Sequence, residues 1–247
     1  RITERSSQQS AQAMGTLNSA LQTVRSSLVA VGVSVGLAGL VQLGKDAVAA
    51  AIQMQNLQTA FRTLTGSAGA ARAEIAFVRA EARRLGVDFV TAAQGFQQLT
   101  AAARGTTLEG EKTRQIFSAV TEAGRVLGLS SEQVGGALTA ITQIMSKGTV
   151  QSEELRGQLG ERIPGAFQIA ARAMGVTTEA LSKMLEQGQV LANDFLPRFA
   201  AQLRKELGEG TERAAQTATA TFARLGSNLQ ELASNVGTNI LKILQPA

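Results

Sequence analysis

The sequence predicts an all-α protein, a bundle of short amphipathic helices flanked by an apolar Gly/Ala-rich helix and by a C-terminal coiled-coil-like helix. Three observations predict this fold class. The chain has only 3 Pro in 247 residues and is rich in Ala, Leu, Gln, Glu and Arg, which favour helices. Apolar residues recur every three or four positions along most of the chain. No β-branched run alternates with polar residues, so we assign no strand.

Composition excludes several classes of function. Without Cys and His, the chain has no disulfides, no thiolate or imidazole metal ligands and no Cys- or His-based catalysis. It also lacks Trp and Tyr, on which single-stranded nucleic acids and sugars usually stack. We therefore predict no catalytic, metal or cofactor site.

The net charge of +5 is small for a chain of this length. We interpret it as a solvated basic surface, with contact to nucleic acid or anionic lipid as the alternative. The same interpretation, a solvated face with local ion pairs, applies to one basic group that is interspersed with Glu74 and Glu81: Arg72, Arg79, Arg83 and Arg84.

The N-terminal part, residues 1–54, joins a polar segment to one apolar stretch. Residues 26–44 carry no charge over 19 positions, close to the roughly 20 residues that span a bilayer. Gly32 and Gly36 have the GxxxG spacing that lets two helices approach closely. Because the stretch has only four Leu, we expect helix packing in a bundle of identical chains, and membrane insertion stays open. The first residue is Arg1 rather than Met, which indicates a fragment of a longer product.

Residues 55–207 are expected to form one compact helical domain. Glycines such as Gly86, Gly128, Gly175 and Gly188 are expected to end its helices. The apolar stripes are Leu57/Phe61/Leu64, Ile75/Val78/Ala82/Leu85, Phe89/Ala92/Phe96/Leu99, Ile116/Val120/Ala123/Leu127, Val134/Leu138/Ile141/Met145, Phe167/Ala170/Ala171/Met174, Leu181/Met184/Leu185 and Phe195/Leu196/Phe199/Leu203/Leu207.

Side chains that can cap helices precede several of these stripes. We expect a short helix to end at Gly160 and Pro164 to lie in the first turn of the next helix. The expected N-caps are Asp88, Ser130 (with Gln133 in a capping box), Ser152, Thr177 or Thr178, and Asn193 or Asp194.

Gly208–Glu209–Gly210 predicts a domain boundary, after which residues 208–247 begin an extended coiled-coil-like helix. Apolar residues there are spaced by three and four over about three heptads, which indicates a possible oligomer seam. Asn239 falls on this seam, where a polar residue can set register and copy number. The seam residues are Phe222, Leu225, Leu229, Leu232 and Val236.

Residues 148–176 are the segment richest in glycine and charge. Gly148, the run EELRGQL at 153–159, Gly160, Glu161–Arg162, PGA at 164–166 and AMGV at 173–176 follow one another there. This order resembles the signature of phage tail tape measure proteins. The flanking helices are similar to the same conserved domain, near the N-terminus of those very long chains, so the resemblance covers residues 55–207. The motif residues are Glu153, Glu154, Leu155, Arg156, Gly157, Gly160, Glu161, Arg162, Pro164 and Gly165.

The resemblance implies a structural protein of long-tailed phages, or of phage-like particles such as tailocins and gene transfer agents. Such a protein sets tail length inside the tail tube and assists genome ejection into the host, and we expect no enzyme. The implied location is the lumen of the tail tube in the virion, with the host cytoplasm occupied during assembly and the host envelope on infection.

The resemblance also implies partners. These are further copies of the chain in a parallel homo-oligomer, with a trimer favoured, the tail tube protein, the tail-tip or baseplate hub proteins and the tail assembly chaperones. The host inner membrane and the end of the phage DNA are further candidates.

Two questions stay open at this point. The charged groups that crowd around the motif glycines indicate either ion pairs that fix a turn, each contributing about 0–1 kcal/mol when exposed, or a docking surface or hinge. For the whole chain, the alternative function is a helical membrane-active (pore-forming) protein or effector that inserts residues 26–44.

Overall fold

The computed structural model describes the backbone of residues 37–217 and of helical positions 221, 224, 226–228, 230–231, 233–235 and 237–238, with side chains described from residue 48 onward. Most of the apolar stretch 26–44 lies outside this part of the chain, including Gly32 and Gly36. The predicted seam lies outside it as well: Phe222, Leu225, Leu229, Leu232, Val236 and Asn239.

Within the described residues, every regular element longer than a single bridge is a helix, which confirms the predicted all-α bundle. An isolated antiparallel bridge between Thr149 and Leu191 joins two connecting segments. The helices are α1 (Leu37–Thr65), α2 (Ala68–Leu85), α3 (Phe89–Ala103), α4 (Glu111–Val126), α5 (Ser131–Lys147), a π-helix (Glu153–Leu159), α6 (Ala166–Met174), α7 (Thr178–Glu186), α8 (Ala192–Leu207), a 3-10 turn (Gly208–Gly210) and α9 (Thr211–Ala215).

The chain divides into two units. One is the compact unit Leu57–Ser227, and the other comprises residues 1–56 and 228–247. The described part of the second unit is helical and includes residues 37–56 of α1. The compact unit continues past the boundary predicted at Gly208–Gly210, because α9 packs against α4. The division into three domains stays a prediction.

Local sequence signals place the starts and ends of most helices where we predicted them. Asp88 accepts a hydrogen bond from the Thr91 backbone N at 2.8 Å, and Ser130 with Gln133 forms the predicted capping box. Thr177 caps α7 by accepting from the Ala180 backbone N. Gly86 and Gly175 end α2 and α6 as predicted, in the left-handed conformation that favours glycine, and Gly148, for which no such prediction was made, ends α5 in the same way.

The core of the compact unit is built largely from the predicted apolar stripes. Phe96 of one stripe and Phe117, which lies outside the predicted stripes, are both fully buried and pack edge to face at 5.0 Å between ring centroids. Helices α3 and α5 lie close together because Gly95 has no side chain, and a Cβ there would be 2.5 Å from Leu138 Cδ1. Several stripe residues, four of them at the end of a stripe, are half-buried instead of buried: Leu64, Leu127, Met174, Met184 and Leu207.

The structure corrects two expectations about helix starts in the second half of the unit. Ser152 makes no side-chain capping bond, and the helix that follows it is a π-helix. Pro164 lies in the turn before α6, which begins at Ala166 after Gly165 at φ 79.

The start of α8 is a third correction. The helix begins at Ala192 with Leu191 as its N-cap residue, so neither Asn193 nor Asp194 caps it. The physical reason is tertiary. The Ala192 backbone N donates to the Gly148 carbonyl oxygen at 2.9 Å, so the end of α5 satisfies the first backbone donor of α8.

Every helix in the described part of the chain is too short or too polar to cross a membrane.

Candidate functional site

The π-helix Glu153–Leu159 and the turn after it hold the motif residues. The π-helix packs against α5 and α6. Its inner face is apolar except for Glu154, since Leu155 and Leu159 are fully buried, as is Ile163 in the turn that follows. Such i→i+5 geometry usually occurs as single turns and often at functional sites. These seven residues are therefore the candidate site.

Glu154 is a buried acid on the inner side of the π-helix, with 1% of its surface exposed. Its Oε1 accepts a hydrogen bond from Lys147 Nζ at the end of α5. Its other carboxylate oxygen, Oε2, is buried and has no hydrogen-bond partner within the described residues. A carboxylate in that position lacks part of the hydration it would have in water, and its burial therefore costs folding free energy.

Arg156 joins the π-helix to two later helices. Its guanidinium lies over the ring of Phe167 in α6, 3.6 Å from the ring centroid. The same group donates a hydrogen bond to Ser182 Oγ in α7. Arg156 thus fixes the position of the π-helix against both helices.

Arg162 joins the turn to α5. Its Nη1 donates to the Gln158 carbonyl oxygen at 2.5 Å, and its side chain lies against Gly136, where a Cβ would overlap with Arg162 Nε. Sequence reasoning missed Gly136. The adjacent pair Gly135–Gly136 in the middle of a helical stripe was the available signal, because glycine inside a helix is unfavourable unless something packs against it.

The three motif glycines have different surroundings. A Cβ at Gly160 would overlap with the Arg156 carbonyl oxygen, and Gly165 adopts a positive φ of 79. Both positions therefore favour glycine strongly. Gly157 is different, because it has no atom within 4 Å of an added Cβ and no positive φ. Nothing in the described fold explains glycine at position 157.

The remaining motif residues face outward. Glu153, Glu161 and Pro164 are exposed. Glu154 is buried, Arg162 half-buried and Arg156 exposed, and all three make the intramolecular contacts expected of a fixed turn. A docking role for the outward residues stays a prediction, as does a hinge.

In the part of the chain that the structure describes, no group of carboxylates could hold a metal ion.

A family model described as tape measure protein matches residues 45–238. The chain belongs to the tape measure protein family. This membership confirms the resemblance and gives the chain a structural role in a phage tail.

A curated relative is similar over most of the chain. The probable tape measure protein of Salmonella phage Felix O1 (isolate Felix O1-VT1) is 30% identical over 228 residues. The match covers 87% of this chain and 30% of the phage protein, so the chain spans under a third of the length of that tape measure protein. No solved structure matches the chain. The tape measure family is a structural one, and the absence of catalytic, metal and cofactor sites stays a prediction.

Outside the motif, ion pairs tie the helices of this tape measure domain together. Glu122 in α4 accepts from Arg84 of α2 at 2.6 Å and from Arg204 of α8 at 2.9 Å. Arg84 also pairs with Glu81, and the hydrogen bond from Arg84 to Glu81 is the main cause that raises the pKa of Arg84. The predicted basic group thus contributes Arg84 to local pairs, while Arg72 is exposed.

Arg125 is a buried cation that sequence reasoning missed. It is 5% exposed, and its guanidinium donates to the Ala214 carbonyl oxygen at 3.2 Å and to Thr217 Oγ1. Burial lowers the pKa of Arg125, and the nearby charge of Arg224 lowers it further. An Arg in an amphipathic helix is expected to face solvent, so no local signal could reveal this position.

Proposed function

We propose that this chain belongs to a ruler protein that sets tail length inside the tail tube and assists genome ejection. The observation that carries the proposal is the combination of family membership at residues 45–238 with a folded compact unit. The aligned region is 30% of the Salmonella phage relative. Most of that relative's chain therefore lies outside the region that this unit represents, and length is measured there.

The compact unit itself is a poor ruler. Its roughly 170 residues would extend about 250 Å as one continuous helix. They fold instead into short helices packed side by side, and α2, with 18 residues, spans about 27 Å. The unit adds a fixed increment to the length of the protein, which suits a docking or plug module at one end of the tail.

The same proposal includes partners and location. The module would be held by tail assembly chaperones in the host cytoplasm and then enclosed by the tail tube protein, with the tail-tip or baseplate hub proteins at its end. Further copies of the chain would run parallel to it, a trimer being favoured. On ejection the protein would reach the host envelope and its inner membrane, ahead of the end of the phage DNA.

The test uses the full-length gene in the phage that encodes it. An in-frame deletion of about 100 helical residues outside this chain is expected to shorten tails by about 150 Å, measured by electron microscopy. The matched control inserts a flexible segment into the exposed turn around Gly105. This insertion adds residues to the chain without lengthening a helix. Tail length should not change in that control.

Two results would overturn the ruler proposal. One is tails of normal length after the deletion, and the other is a source that makes no tails. Either result would move the membrane-active alternative to first place, to be examined by vesicle leakage with the whole protein.

A further inference from the structure

We propose that the π-helix Glu153–Leu159 is a latch, a locally unstable segment that the Lys147–Glu154 ion pair holds closed and that opens while the rest of the compact unit stays folded. The latch is a property of the fold of the compact unit, so its test does not depend on the tail-length function.

The backbone of the latch is intrinsically unfavourable. A π-helix is rare, and most examples are a single turn inside an α-helix. This one contains Gly157, which has open space on the Cβ side. A glycine inside a helix favours the unfolded segment about two- to fivefold relative to alanine. Since no close neighbour requires glycine there, Gly157 weakens the segment without a compensating contact.

The electrostatics of the latch also favour opening. Glu154 is buried with one oxygen lacking a described partner, while Lys147 Nζ satisfies the other. The Lys147 side chain is 43% exposed, so its ammonium group can be hydrated when the pair breaks. Glu154 gains hydration only when the segment opens. The ion pair is therefore the polar contact that keeps the carboxylate inside, while Arg156 also anchors the segment on Phe167 and Ser182.

The packing of the compact unit allows the latch to open alone. The π-helix packs mainly on α5 and α6, whereas α3 packs on α5 and α4 packs on α8 through contacts that do not include it. Opening would expose the buried side chains of Leu155, Leu159 and Ile163. The contact of Arg162 with Gly136 lies in the turn just after the latch, next to Ile163.

Amide hydrogen exchange of the 247-residue chain tests the latch. Amides of residues 153–159 are expected to exchange at least about tenfold faster than those in the middle of α5, through an opening whose free energy falls less steeply with denaturant than that of global unfolding. Lys147→Met should speed exchange in 153–159 about tenfold further and leave α3, α4 and α8 unchanged. Glu154→Met should slow it, because the buried charge is gone. The double variant should match Glu154→Met.

Matched controls separate the latch from general effects of substitution. Arg198→Met breaks the Asp194–Arg198 pair, in which both side chains are about half exposed. Gly69→Ala changes another helical glycine with open space around it. Neither should alter exchange in 153–159, whereas Gly157→Ala should slow exchange there about two- to fivefold.

Three results would overturn the proposal. The first is protection of 153–159 equal to that of α5. The second is a Lys147→Met variant in which all helices exchange faster together, since the pair would then stabilise the whole unit. The third is faster exchange in Glu154→Met. If Lys147→Met does not fold, the Glu154→Met variant still tests the latch.

Discussion

The carbonyl oxygen of Arg156 would overlap with the Cβ of any residue other than glycine at position 160. The backbone fixes both atoms of this contact, so no rotation of a side chain can relieve it. Gly160 follows the last residue of the π-helix, so this contact joins the two parts of the motif, the π-helix and the turn. A glycine that looked like a helix stop in the sequence is thus required by the path of the chain.

Gly160→Ala is expected to destabilise the compact unit by about 2 kcal/mol or more, because the backbone must move to admit the methyl group. Chemical denaturation with a helicity signal measures the change. Gly157→Ala is the matched control three residues earlier, and it should be neutral or stabilise by up to about 1 kcal/mol. Equal effects of the two substitutions would contradict the backbone overlap.

Gly95→Ala is expected to cost about 1–3 kcal/mol, since the new Cβ would lie 2.5 Å from Leu138 Cδ1 in the close contact between α3 and α5. Leu138→Val shortens the side chain that obstructs it. The double variant should be less destabilised than the sum of the single variants by more than about 0.5 kcal/mol. Unfolding curves of all four proteins give this coupling. Strict additivity would show that the two positions do not touch.

Acid stability depends in part on Glu206 in α8. A hydrogen bond from Arg172 is the main cause that lowers the pKa of Glu206, with both guanidinium contacts at 2.6 Å. A carboxyl whose pKa is lower in the folded state stabilises above its unfolded pKa, about 4.3, and this stabilisation is lost as the pH falls through the folded pKa.

Glu206→Gln should therefore flatten the fall in melting temperature between about pH 5 and pH 3 relative to the unchanged protein. Glu209→Gln alters an exposed residue two positions after α8 ends, and it should leave the slope as it was. Thermal melts at closely spaced pH values make the comparison. A steeper fall in Glu206→Gln would mean that the sign of the linkage is wrong.

Sequence reasoning recovered the features that depend on a few neighbouring residues. Asp88, Ser130 with Gln133, and Thr177 cap helices because each side chain bonds a backbone N–H three positions on. Stripes at three- and four-residue spacing predicted the buried faces. The family resemblance rested on the same short range, an ordered run of residues between 148 and 176.

Features that depend on distant neighbours were missed or misplaced. The start of α8 follows from the backbone hydrogen bond between Ala192 and Gly148, which are 44 positions apart. The burial of Arg125 depends on α9, and the need for glycine at 136 depends on Arg162. Local propensity contains no information about these contacts, since the partner residue is absent from the window that propensity describes.

The sequence by itself therefore determined the helical fold class, most helix ends and the family, because these follow from short-range periodicity, capping and ordered motifs. Only the tertiary structure decided that the motif forms a π-helix, that Glu154 is buried against Lys147 while Glu153 faces water, and that Gly160 is obligatory where Gly157 is not. The physical reason is that packing against α5 and α6 sets the path of this segment, and that path decides which charges lose their hydration.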